Sequence, residues 1–387
     1  MERIALFGST GSIGKKVLEV VRMFPDEFKI EVLGARKNIK ELINQCKEFS
    51  PSKVYIHETT LDIESNFSIP VLSKYEGIKE ICESKEIDTV IIAVDGYFGL
   101  IPTIEALKNN KKVLTANKES IFIWGYQINE IAKKMNSIII PIDSEHNTIF
   151  NLTNRIGKEN IEELIITASG GPLLTKTQKE IDNTTIEEIL SHPNWSMGKI
   201  VTFNSATMFN KFLEVFEAHI FFEIDIEKIR IIIHPESRIH SMVLLKDGTI
   251  WSIYYYPDMI FPIANAMFFP RTSDLKQKVK YEIPLNTTLR FLDINYQQFR
   301  ILELLKDIKH SSTYQRAVLN TANEICITFF EKGKIKFSQI PEILKDCYYN
   351  FNQEIDLSNL EKAIENMEKL KISLEEYIKI KFNLPST

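Results

Sequence analysis

A chain of 387 residues is longer than one hydrophobic core usually serves, so two or three domains are expected. Its 44% hydrophobic and 26% charged residues are ordinary for a globular protein. The net charge of −5, with no long basic block, argues against a nucleic-acid or anionic-membrane partner. No stretch reaches the roughly 18 uninterrupted apolar residues that a membrane span needs. Four scattered cysteines, Cys46, Cys82, Cys326 and Cys347, form no C-x-x-C pair and point to reduced thiols in the cytoplasm. The opening MERIALFGSTGSIG runs from a short apolar stretch into a glycine loop, which reads as a first strand and not as a signal peptide.

Over residues 1–143 the β-branched runs RIALFG, KIEVLG, KVYIH, DTVIIAV, KKVLTA and SIIIPID alternate with amphipathic stretches. KKVLEVVRMF, IKELINQCKEF, EGIKEICES, IPTIEALKN and INEIAKKM carry apolar residues three or four apart, as helices do. This α/β alternation predicts a Rossmann-like parallel sheet that binds ligands at the carboxyl ends of its strands. Residues 144–284 change pattern. IEELIITAS, EKIRIIIHP, RIHSMVLLK and TIWSIYYYP predict a second, partly antiparallel sheet, with helices at 144–155, 206–221 and 257–269, so this is a central α+β domain. A connector at 285–300 then leads to a C-terminal helical domain, 301–387, with YQQFRILELLKDI as its first helix.

GSTGSIG follows the first strand and opens a helix. Thr10, Gly11, Ser12 and Ile13 would line a pyrophosphate, with the helix N-terminus supplying N–H groups and positive dipole. A plain tight turn is the competing reading. Where an NAD site places an acid at the end of the second strand, this chain reads GARKN. Arg36 and Lys37, with Asn38, favour a ribose 2′-phosphate and hence NADPH, unless the two cations are merely solvated.

PIDSEHN sets Asp143 and Glu145 at the mouth of a buried strand with Ser144 between them. Acids at a helix N-terminus, a general acid/base pair and a divalent-metal site all fit that pattern. NSATMFNKFLEVFEAH reads as one helix with Asn210 and Glu214 a turn apart, Thr207 a turn earlier and Lys211 alongside. Ser205, Asn210 and Lys211 suit phosphate oxygens, while Glu214 could join Asp143 and Glu145 around Mg²⁺ or Mn²⁺. An ordinary polar helix contact is the alternative. TASGGP ends a strand in small residues, with a Ser169 hydroxyl able to donate. SHPNWSMG, holding His192 and Trp195, reads either as a lid or as a surface loop anchored by one aromatic. In ANKES, Lys118 and Glu119 can face the crevice beyond a strand end.

Taken together, GSTGSIG, ANKES, PIDSEHN, ASGGP, HPNWSMG, NSATMFNK, HPESRIHSM and TANEI resemble the 1-deoxy-D-xylulose 5-phosphate reductoisomerase family, in order from residue 4 to about residue 330. The resemblance implies that Asp143, Glu145 and Glu214 hold a divalent ion (Mg²⁺, Mn²⁺ or Co²⁺). It makes Ser144, Ser169, His192, Ser205, Asn210, Lys211 and Lys118 substrate contacts, sets Asn117 and Glu119 by the nicotinamide, and gives Gly198 to the lid and cofactor contact. It further implies a homodimer acting on a sugar phosphate: rearrangement to a branched aldehyde, then hydride transfer from NADPH, giving 2-C-methyl-D-erythritol 4-phosphate. The chain departs from the family's usual residues at Arg36, Asp95, Leu173, Phe212, Glu236 and Tyr256. Two rival readings are a metal-free NADP-dependent semialdehyde dehydrogenase and a non-catalytic NADP(H) sensor. The first leaves the three acids unexplained, and the second lacks a recognisable partner surface.

Overall fold

The computed structural model describes residues 1–190, 198–280, 286–360 and 362–385. Among them the chain divides into two compact units. Met1–Ile121, Gly125–Ile156 and Asp258–Thr287 make up the first, and Phe122–Trp124, Gly157–Pro257 and Thr288–Thr387 the second.

The first unit is built on seven parallel strands: β1 (Glu2–Phe7), β2 (Phe28–Ala35), β3 (Lys53–Ile56), β4 (Val71–Leu72), β5 (Thr89–Ile92), β6 (Lys112–Thr115) and β7 (Ile139–Pro141). Their order is β4-β3-β2-β1-β5-β6-β7. The order reverses at β1, so the crevice where this class of sheet binds ligands opens beyond Phe7, at the glycine loop. All four residues of β5 are buried, as expected of a parallel strand covered on both faces. Six of the seven strands follow the predicted runs. The edge strand β4 was not among them, because two residues carry no periodicity.

One side of this sheet is closed by a segment remote in sequence. The helix Ile260–Phe268 buries Ile260, Ile263, Ala264 and Met267 in the same core as Ile4, Val17, Leu18 and Val20. Phe268 meets Phe24 and Phe28 edge-on, with ring centroids 4.8 and 4.9 Å apart. Lys112 Nζ donates to the carbonyls of Met267 (2.7 Å) and Phe269 (3.2 Å), tying the helix end to β6.

The second unit carries β8 (Ile161–Ala168), β9 (Ile229–Ile233), β10 (Ile239–Leu245) and β11 (Ile250–Tyr254) in the order β11-β10-β8-β9. β8 and β9 run parallel, and β10 is antiparallel to both its neighbours. The helix Phe209–Phe222 packs on β8 and β9. Farther along, Thr313–Glu331, Ile340–Asn350 and Ala363–Lys381 are the long helices. A capping box between Ser312 and Gln315 starts the first of them.

Two predicted helices differ. YQQFRILELLKDI forms only a 3-10 segment, Arg300–Leu304, and a short helix, Leu305–Ile308. Ile301, Leu302, Leu304 and Ile308 are all buried, so its apolar residues point to more than one side and no single helical stripe exists. NSATMFNKFLEVFEAH is not continuous either. One helix ends at Ala206, Met208 takes a left-handed φ of 62°, and a new helix starts at Phe209. The Thr207 hydroxyl accepts from the Phe209 N–H at 3.2 Å and caps the restart.

Because Phe268 anchors the returning helix, Phe268→Ala should cost about 3–5 kcal/mol. A fall of the urea-unfolding midpoint followed by circular dichroism checks this.

Candidate active site

The loop after β1 is shaped by what its glycines leave out. Gly8 has a φ of +89° and lies so close to Ala93 that a Cβ would overlap the Ala93 carbonyl. At Gly14 a Cβ would overlap the Gly8 carbonyl and the backbone of Ser9. The N–H groups of Gly8 and Ser9 both donate to Gly34 O at 2.9 Å, which pins the loop to β2. The buried Gln45 amide donates to Ser9 O at 2.9 Å. Gly11 and Ser12 remain exposed at the start of helix Ser12–Met23, with Thr10 and Ile13 half-buried beside them. No acidic side chain occupies that helix's first turn, so its dipole is available to an anion.

Beyond β2, Arg36, Lys37 and Asn38 are exposed. Asn38 caps the next helix by accepting from the Glu41 N–H. Arg36 Nε donates to Glu58 at 2.8 Å, so the cations are not simply solvated. Glu31, inside β2, is buried and paired with Lys29.

ANKES forms a braced corner. Asn117 is buried; its Oδ1 accepts from Ser120 N, and its Nδ2 donates to Val94 O (2.9 Å), Gly96 O (2.7 Å) and Glu119 Oε2 (3.1 Å). Gly99 makes this possible, because a Cβ there would overlap the Asn117 amide. Lys118, half-buried, reaches the end of β7 and pairs with Asp143 Oδ2.

In PIDSEHN, Asp143 takes the helix-N-terminal role and also pairs with a lysine. Its Oδ1 accepts the N–H groups of Glu145 (3.0 Å) and His146 (3.2 Å), capping helix Ser144–Ile156, while Oδ2 faces Lys118. The His146 ring nitrogen Nδ1 lies 3.0 Å from Oδ1. Burial alone would push the Asp143 carboxyl up, but Lys118 and His146 outweigh it and hold the group well below the usual carboxylate range. Ser144 is buried and donates to the half-buried Glu145 carboxylate.

The second unit carries the remaining residues. After β8, Ser169 leads into Gly170 and Gly171, both at positive φ, and Gly171 N donates to Ser169 Oγ at 3.2 Å. A Cβ on Gly171 would lie 2.8 Å from the Ser205 carbonyl, so this turn abuts the end of helix Lys199–Ala206, where half-buried Ser205 sits. On helix Phe209–Phe222, Lys211 and Glu214 are buried and ion-paired, and the Asn210 amide donates to the other Glu214 oxygen. Asn323, from TANEI, donates to Asn204 Oδ1 at 2.8 Å.

Family models match three stretches: 1-deoxy-D-xylulose 5-phosphate reductoisomerase over residues 4–125, its C-terminal domain over 139–222, and a further DXP reductoisomerase C-terminal domain over 256–373. The 1-deoxy-D-xylulose 5-phosphate reductoisomerase of Thermodesulfovibrio yellowstonii is 38% identical over 369 residues, 94% of this chain and 96% of the relative. The chain belongs to the 1-deoxy-D-xylulose 5-phosphate reductoisomerase family. The Clostridium botulinum (strain Loch Maree) reductoisomerase is 36% identical across 99% of this chain and all of its own. A crystal structure of DOX-P reductoisomerase in complex with NADPH, fosmidomycin and magnesium superposes with a TM-score of 0.87 at 32% identity, covering 99% of this chain and 98% of that one.

Against the family's motifs, the structure brings together Lys118 with Asp143, Asn117 with Glu119, and Asn210 and Lys211 with Glu214. It also sets the Ser169 turn against Ser205. His192 and Trp195 lie outside the described residues, and Gly198 is exposed just before helix Lys199–Ala206. The reductoisomerase departures mostly have structural partners. Phe212 stacks with Phe209 and meets Phe122 edge-on in the core. Glu236 pairs with Arg290, the Arg238 guanidinium lies 3.9 Å from the Tyr256 ring centroid, and buried Leu173 offers its carbonyl to Gln298. Nothing in the structure explains Asp95. Gln45, Glu58, Gly99 and Asn323 had no assigned role in the sequence reading. Their partners lie far away in the chain, and only TANEI carried a motif.

Gly99→Ala should displace Asn117 and loosen the ANKES corner at a cost of about 1–3 kcal/mol. A lower thermal midpoint, with faster hydrogen exchange at Val94–Gly96, is the expected result.

Proposed function

We propose that this chain converts 1-deoxy-D-xylulose 5-phosphate to 2-C-methyl-D-erythritol 4-phosphate, with NADPH as reductant and a divalent cation as Lewis acid. The observation that carries the reading is the polar strip of Asn210, Lys211 and Glu214 on a helix otherwise rich in buried apolar residues. Burying an ammonium and a carboxylate there is costly, which is the mark of a site built for a ligand. Family membership supplies the reaction.

The side chains fit both missing groups. Asp143 and Glu145, just beyond β7, and Glu214, on helix Phe209–Phe222, are the three carboxylates that would hold one cation. Hard oxygen donors suit Mg²⁺ or Mn²⁺, with Co²⁺ a further candidate. When bound, such an ion polarises the substrate's carbonyl and adjacent hydroxyl. The cradle at Gly8 and Gly14, which a Cβ would fill, suits a pyrophosphate, with Thr10, Gly11, Ser12 and Ile13 around it. NADPH supplies the hydride that reduces the rearranged aldehyde.

In this reading the chain's own groups bind and orient. Ser169, Ser205, Asn210 and Lys211 hold the substrate phosphate, and Lys118, Ser144 and His192 contact the sugar. Lys118 also keeps Asp143 ionised at neutral pH, supported by the direction of its pKa. Asn117 and Glu119 border the nicotinamide, Gly198 contacts the cofactor, and Arg36, Lys37 and Asn38 border the ribose phosphate. The boundaries 1–143, 144–284 and 301–387 describe the functional division. A cytoplasmic homodimer is part of the proposal, resting on the family likeness and on four cysteines that are all free. No helix among the described residues is long and apolar enough to cross a membrane.

Glu145→Gln should lower the conversion rate about 100- to 1,000-fold or more, because one charge-holding group is lost. NADPH affinity, measured by fluorescence titration, should stay within about twofold, since the two effects are independent. Full turnover by the variant would favour the metal-free dehydrogenase reading. Separately, Arg36→Ala combined with Lys37→Ala should weaken NADPH by about tenfold or more and NADH far less, as charge-assisted phosphate contacts contribute roughly 1.5–3 kcal/mol each. Equal losses for both cofactors would show that the cations do not meet the phosphate.

A further inference from the structure

Arg36 stands where the family most often has glycine, and the structure gives it two partners. Its Nε donates to Glu58 Oε1 at 2.8 Å, and its guanidinium carbon lies 4.3 Å from the centroid of Phe98. Lys37 Nζ is 3.6 Å from the other Glu58 oxygen. The Phe98 ring is itself fixed, stacked on Tyr97 at 4.7 Å and met edge-on by His57 at 4.9 Å. These residues come from three neighbouring places at the carboxyl edge of the parallel sheet. Arg36 follows β2, Glu58 follows β3, and Phe98 lies in the turn Gly96–Gly99 after β5. The glycine loop after β1 opens at the same edge. Arg36 and Glu58 side chains are 51% and 48% exposed, so a ligand can reach both.

A carboxylate and a phosphate want opposite things here. Glu58 would accept hydrogen bonds from a ribose that bears only hydroxyls, but it repels a ribose phosphate and already occupies the cations that the phosphate needs. Laid flat on Phe98, the Arg36 guanidinium turns its outer face toward solvent as a stacking surface for a purine. The Arg36 hydrogen bond holds the Glu58 carboxyl below its ordinary range, so it is ionised at neutral pH.

We infer that Glu58 is a specificity-determining residue for the cofactor: it lays Arg36 on Phe98 as a platform for the adenosine end and competes with the 2′-phosphate for Arg36 and Lys37. This rests on the NADPH reading of the glycine loop and GARKN. Glu58 is therefore a moderating element, and removing its charge sharpens the preference for NADPH. A single exposed ion pair contributes little, so the gain is modest, roughly three- to tenfold in affinity.

The test is fluorescence titration of NADPH and NADH into metal-free full-length protein at low ionic strength. Wild type, Glu58→Gln, Arg36→Ala and the double variant are compared. Glu58→Gln should bind NADPH roughly three- to tenfold tighter with NADH no tighter, and the gain should shrink in the Arg36→Ala background. If wild type prefers NADPH but Glu58→Gln leaves its Kd unchanged or raises it, the role of Glu58 is refuted while the cofactor reading stands. If wild type binds the two cofactors equally and Arg36→Ala changes neither, the cofactor reading itself fails.

Discussion

Two lysine–carboxylate pairs, Lys118 with Asp143 and Lys211 with Glu214, are the constraint on which the rest of the site depends. A buried or half-buried charge without a partner is expensive, and removing one member of such a pair strands the other. Each pair is reinforced by a neutral donor or a helix end: backbone N–H groups at Asp143, and the Asn210 amide at Glu214. Asp143 is thereby held ionised, and both carboxylates are held in one orientation, before any ligand arrives. That is the preorganisation that electrostatic catalysis requires.

Much of this was legible from local pattern. The alternation of β-branched runs and amphipathic stretches gives the parallel sheet because both signals are short-range. The glycine loop was readable because strand, glycines and helix follow within a few residues. PIDSEHN was legible as a set of candidates; of these the helix-N-terminal role is the one Asp143 fills, one oxygen capping the helix while the other meets Lys118.

What stayed hidden depends on partners distant in the chain. The break at Met208 could not be read from NSATMFNKFLEVFEAH, whose composition suits a helix throughout; a single left-handed residue and the Thr207 cap decide it. The failure of YQQFRILELLKDI as a long helix reflects burial on several sides, which no one-dimensional period reveals. The return of helix Ile260–Phe268 to the first unit's core, and the pairing of Arg36 with Glu58, are likewise long-range facts. The departures from family pattern follow the same logic. Phe212 is unremarkable once Phe122 and Phe209 are seen around it, and Glu236 once Arg290 is found.

The account turns on whether the carboxylates take a divalent ion. The most direct measurement is a Mn²⁺ titration of metal-free protein followed by electron paramagnetic resonance, with wild type compared to Asp143→Asn. One Mn²⁺ bound per chain, with affinity lowered about tenfold or more in the variant, is the result predicted from loss of a charged ligand. Wild-type protein that takes up no Mn²⁺, or binds it no better than Asp143→Asn, would contradict it.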